Sequence, residues 1–112
     1  MKKIINIAVF ILFSVTGQAQ KSISGTQYAS KVAQRMADSL KLTSAQENKV
    51  YNINLGLHTQ EMDTRKKYTS RDSLAVHFQK IENSRDAMYR AVLTNNQYEL
   101  YMSKKIELLN NN

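Results

Sequence analysis

A chain of 112 residues has room for one small domain, and the absence of cysteine excludes both a disulfide framework and a lipid-modified N-terminal cysteine. Sixteen Lys and Arg against nine Asp and Glu give a formal charge of +7, a balance that attracts acidic polypeptide, anionic lipid or nucleic acid. The only histidines, His58 and His77, sit in neither a loop nor a glycine-rich turn, and no glycine loop could cradle a phosphate. With no nucleophile set beside a base, an enzyme is not expected, and no cofactor is implied.

Residues 1–19 differ in composition from the rest. Lys2 and Lys3 precede an apolar run over 4–15, broken only by Asn6 and Ser14, and Thr16-Gly17-Gln18-Ala19-Gln20 follows. This reads as a secretory signal peptide cleaved after Ala19. Its apolar part is shorter than the roughly 20 residues a spanning helix needs, and the polar stretch after it argues against an uncleaved anchor. The expected mature protein is a single soluble domain, 20–112, exported to the periplasm without a stable membrane anchor. Loss of Lys2 and Lys3 lowers the net charge to +5. Export turns the expected partners away from nucleic acid and toward membrane surfaces and other proteins.

After the leader there is no proline, and the only glycines are Gly25 and Gly56, so nothing local resists helix over long stretches. The pattern predicts a flexible start at 20–24, helices over 26–40, 43–68, 70–92 and 94–109, and a frayed end at 110–112. In the second helix Val50, Ile53 and Leu57 form one apolar stripe and Tyr51, Leu55 and Met62 a neighbouring one. Gly56 lies between them. An interior glycine costs about 0.5–1 kcal/mol relative to alanine, which points to a close helix crossing, a bend or simple tolerance.

The connection at 66–70 lacks glycine and proline. Arg65, Lys66 and Lys67 suit a helix C-terminus, and Thr69 followed by Asp72 suits a new start, with one continuous helix as the alternative. Beyond it Leu74, Phe78, Ile81, Arg85, Met88 and Val92 alternate spacings of four and three, a coiled-coil type of seam with one charged interruption at Arg85. A core with Phe78 as its only phenylalanine and no tryptophan is thin, so a homodimer with a shared core is expected.

One pattern occurs twice: Leu42-Thr43-Ser44-Ala45-Gln46 and Leu93-Thr94-Asn95-Asn96-Gln97, both L-T-x-x-Q. Each is a capping box in which the Thr side chain accepts from the N3 amide and the Gln side chain reaches back to the N-cap amide. With the leader, the size and the long basic helices between the two copies, the chain resembles the Spy/CpxP family of periplasmic LTxxQ proteins. The resemblance implies an all-α fold, a long helical hairpin with short flanking helices that dimerises antiparallel into a curved cradle. It further implies an ATP-independent chaperone for unfolded or partly folded exported proteins, a stress-response regulator docking on the periplasmic domain of a sensor kinase, or a metal-responsive protein. The positions that carry over are Leu42, Thr43, Gln46, Leu93, Thr94 and Gln97, with an architectural role. The chain is shorter after the second motif and poorer in methionine than the family pattern, which leaves the size of any cradle open.

Client contact is expected at Arg65, Lys66, Lys67 and Arg71, four positive charges within seven residues and more than a helix dipole requires. His58 and Met62 share a helical face and His77 could join from elsewhere, but a tight metal site needs three or four convergent ligands, so these are weak candidates.

Overall fold

The computed structural model describes residues 24–110, which form four helices and no strand: α1 Gly25–Leu40, α2 Ser44–Lys67, α3 Arg71–Val92 and α4 Asn95–Leu109. The leader expected over 1–19 lies outside the described residues. The fold of the described part is all-α, in the number and order of helices that the periodicity predicts.

Three of the four helices open on a capping box. Thr43 with Gln46 opens α2 and Thr94 with Gln97 opens α4, as the two L-T-x-x-Q copies require. The third is Ser24 with Gln27 at α1, where the Ser24 hydroxyl accepts from the Gln27 amide and the Gln27 side chain accepts from the Ser24 amide, both at 3.1 Å. Ser24 therefore anchors the helix instead of belonging to a flexible start. α1 closes on Lys41 in the left-handed region at φ 58°, its amide donating to the Ala37 carbonyl. That conformation costs a non-glycine residue roughly 1 kcal/mol.

Between α2 and α3 the backbone breaks. Tyr68 is extended, and Ser70, not Thr69, caps α3 by accepting from the Ser73 amide. Two extended residues and a new cap end the helical hydrogen-bond ladder, so the alternative of one continuous helix does not hold.

The pairs Asn54–Tyr89, Glu61–Arg85, Arg65–Phe78 and Tyr68–His77 show α2 and α3 running antiparallel side by side. α1 packs on another side of α2, and α4 turns back across α1 while meeting α3 near their junction. The core is Val32, Ala33, Met36 and Leu40 from α1, Val50 from α2, Tyr89 and Leu93 at the end of α3, and Tyr101 and Leu108 from α4. The assembly is a flat body of 54 × 37 × 21 Å, about two helix diameters thick. No helix among the described residues is long and apolar enough to cross a membrane.

The α3 seam is partly covered within the chain. Ile81 and Arg85 are buried, and Leu74, Phe78 and Val92 are half-buried; of the six, only Met88 is exposed. Arg85, expected to interrupt the seam, is 2% exposed, whereas Tyr89, one position off the stripe, is fully buried. The buried face of α3 is wider than one stripe because Tyr89 reaches past α2 into the cluster built by α1 and α4. Gly56 marks no close crossing among the described residues, because a Cβ there would meet nothing within 4 Å.

Candidate functional site

The two motifs meet. Each glutamine spends its side-chain oxygen locally, Gln46 Oε1 accepting from the Thr43 amide at 2.9 Å and Gln97 Oε1 from the Thr94 amide at 3.0 Å. The amide nitrogens point across the fold. Gln46 Nε2 donates to the Val92 carbonyl at 3.1 Å and to Gln97 Oε1 at 2.8 Å. Gln97 Nε2 lies 3.2 Å from the Leu40 carbonyl, 3.4 Å from that of Lys41 and 3.3 Å from Gln46 Oε1. Each motif thus satisfies terminal carbonyls of the helix that leads into the other motif, so four helix ends are held by two side chains. Leu93 is buried in the core, and Leu42 packs against it half-buried.

A second polar constellation lies between α1, α2 and α3. Asn54, fully buried, donates from Nδ2 to the Ala29 carbonyl at 3.1 Å and accepts from the Tyr89 hydroxyl. Next to it Arg85 donates from Nε to Glu82 at 3.1 Å and from Nη2 to Glu82 at 3.2 Å and Glu61 at 3.4 Å, while its buried Nη1 has no partner. Burial alone would lower the Arg85 pKa, but the Glu82 hydrogen bond and the surrounding acidic groups raise it above its ordinary value, so the guanidinium stays charged. Burial raises the Glu61 carboxyl, against the opposing pull of Arg85. Burial also pushes the Tyr89 phenol up to about 12 and raises Tyr28. At the far side the Tyr101 hydroxyl donates to Asp86 at 2.8 Å, and Lys105 pairs with the other oxygen of Asp86 at 2.8 Å. Burial, then that hydrogen bond, holds Tyr101 well above the usual phenol range.

These groups read as a framework. Every carboxylate named is tied to a cation or phenol, and burial keeps the phenols protonated. Asn54 and Tyr89 carried no signal in the sequence beyond lying in helices, and Arg85 counted as an interruption. The Ser24-x-x-Gln27 box was readable from the same rule that picked out the other two.

The basic cluster divides. The Arg65 guanidinium sits 4.8 Å from the Phe78 ring centroid, a cation–π contact that ties it to α3. Lys66, Lys67 and Arg71 are exposed, with no ion pair among the described residues. The weak metal candidates fall in separate surroundings. His58 packs on Tyr28 and against Gly25, where an added Cβ would lie 2.8 Å from the His58 ring. His77 stacks on Tyr68 at 3.9 Å, its Nδ1 hydrogen-bonded to the Ser73 carbonyl at 2.8 Å. Met62 is exposed. Among the described residues no group of three or more His, Cys, Asp or Glu is placed to hold a metal ion.

What remains for recognition is the surface. Met62, Val76, Met88, Leu100, Met102 and Ile106 are all exposed, Ile106 at 89%. Comparison of the chain with protein families, with characterised proteins and with solved structures finds no match in any of the three.

Proposed function

We propose that the chain is an exported, ATP-independent chaperone-like protein of the Spy/CpxP type that binds unfolded or partly folded proteins on its helical surface. The observation that carries the reading is the set of large apolar side chains left exposed, together with exposed Lys66, Lys67 and Arg71, which make no ion pair among the described residues. Long-range attraction by lysine and arginine would gather acidic stretches. Exposed methionines and aliphatic side chains would then hold apolar segments without demanding one shape. The paired L-T-x-x-Q motifs, now tied to each other by side-chain hydrogen bonds, give this kinship its best support. In this reading the mature chain works in the periplasm as an antiparallel homodimer whose helical hairpins line a curved cradle.

The test is an aggregation assay on several unrelated unfolding proteins, at low and high salt, with the chain from Gln20 onward. Broad suppression that weakens with salt is expected. Suppression of none of them, or tight binding of one partner alone, would remove the chaperone reading. Replacing Lys66, Lys67 and Arg71 by glutamine should slow client association and flatten its salt dependence while leaving the helical signal intact.

A further inference from the structure

Two clefts open between α2 and α3, and they share Gln60. The first, about 320 Å³, is walled by Ile53, Gly56, Leu57 and Met88. The second, also about 320 Å³, is walled by Asp63, Lys67, Tyr68, His77, Lys80 and Ile81. Together they form one groove along α2 from Asn52 to Lys67, about 20 Å at the helical rise. Its floor is apolar, because Leu57 and Ile81 are buried. Its two ends differ in chemistry.

At one end the walls are aliphatic, and Gly56 contributes no side chain. A Cβ there would stand in open space, so no contact among the described residues accounts for a glycine in the middle of a 24-residue helix. An occupant lying close against the backbone of α2 would account for it. At the other end the stacked rings of Tyr68 and His77 share the wall with Lys67 and Lys80, and neither lysine has an ion pair among the described residues. One carboxylate, Asp63, shares that wall and is outnumbered, with exposed Lys66 and Arg71 beside it.

We infer that this groove is the client-binding site, and that it takes an amphipathic stretch of a partner polypeptide, apolar at the Gly56–Met88 end and acidic at the Lys67–Lys80 end. The inference rests on the client-binding reading and narrows it to one face and one class of segment. Charge complementarity sets the polarity. An acidic side chain fits the unpaired lysines, and an apolar one covers Ile53, Leu57 and Met88.

The experiment uses two labelled synthetic peptides followed by fluorescence anisotropy. In one, a leucine- and phenylalanine-rich half precedes a glutamate-rich half; in the other, lysines replace the glutamates. The acidic peptide should bind about tenfold more tightly at low salt and lose most of that advantage at 1 M, where the Debye length is about 3 Å. Gly56→Gln sets its Cβ in open space at the groove wall and improves helix propensity, so its melting temperature should hold or rise while affinity for the acidic peptide falls about tenfold. Lys67→Gln with Lys80→Gln should abolish the preference between the peptides. Equal binding of the two peptides, or unchanged affinity in Gly56→Gln, would overturn the inference. So would a dimer that Gly56→Gln dissociates in sedimentation and the acidic peptide does not, since the groove would then hold a second copy. If the parent protein suppresses aggregation and Gly56→Gln does so equally well, the groove is wrong and the chaperone reading stands. If the parent neither binds a peptide nor suppresses aggregation, both fall.

Discussion

Replacing Gln97 by Glu separates two roles that the motif combines. A carboxylate at N3 keeps the capping box, since glutamate serves there as well as glutamine, so a purely local cap predicts no loss. The structure predicts otherwise. Gln97 Nε2 has two protons to share among the Leu40 carbonyl at 3.2 Å, the Lys41 carbonyl at 3.4 Å and Gln46 Oε1 at 3.3 Å. Gln97→Glu removes both donors and sets a second acceptor against those oxygens. Two net hydrogen bonds at about 1 kcal/mol each give a loss of about 2 kcal/mol. The new charge is favoured by the start of α4 and opposed by the end of α1, effects of about 0.3–1 kcal/mol that offset each other. In a domain of this size the loss corresponds to about 10 °C in melting temperature. Thermal unfolding followed by circular dichroism at neutral pH and fixed protein concentration measures it. With Gln46→Glu and the double variant, the cycle should return a coupling of about 1 kcal/mol between the two glutamines. A Gln97→Glu protein as stable as the parent, or strict additivity in the cycle, would refute the cross-link and return the motif to ordinary capping.

Three other predictions concern the rest of the framework. Tyr89→Phe strands the buried Asn54 oxygen and should cost about 1–2 kcal/mol in urea unfolding, and an unchanged urea midpoint would contradict the Tyr89–Asn54 bond. Glu61 has its carboxyl pKa raised on folding, so its contribution to stability is present below the ordinary carboxylate value and is lost as pH rises through the folded value. Glu61→Gln should therefore gain on the parent as pH rises from about 4 to 7, and a gap moving the other way would contradict the assigned direction. Lys41→Gly should stabilise by about 1 kcal/mol by relieving the left-handed cap, read as a higher urea midpoint with unchanged slope.

The helices were legible because their starts carry hydrogen-bonding side chains at fixed offsets and their interiors lack proline, both local properties. The break at 68–70 was legible only in outline, since neighbouring Thr69 and Ser70 are both competent caps and the choice depends on how Tyr68 stacks against His77 in α3. The α3 seam gave Ile81 correctly, but periodicity could not tell that the arginine within it would be paired across helices with Glu61. Nor could it tell that Tyr89 would find Asn54 on α2. Those are pairings between elements, set by rotations that no single helix encodes. The same limit hid the tie between Gln46 and Gln97. Each box is visible alone, and their meeting depends on α4 turning back across α1.

The contact between the two motifs also bears on how the molecule comes apart. Gln46 and Gln97 are 51 positions apart, and the bond from Gln97 to the Leu40 carbonyl spans 57. Contacts that distant close a large loop, which places them late in folding relative to the local helical contacts and makes them weak in the folding transition state. Interactions absent from that state leave the folding rate nearly untouched and act on the unfolding rate. The glutamine pair thus works as a late latch, lengthening the lifetime of the folded chain more than it speeds its formation.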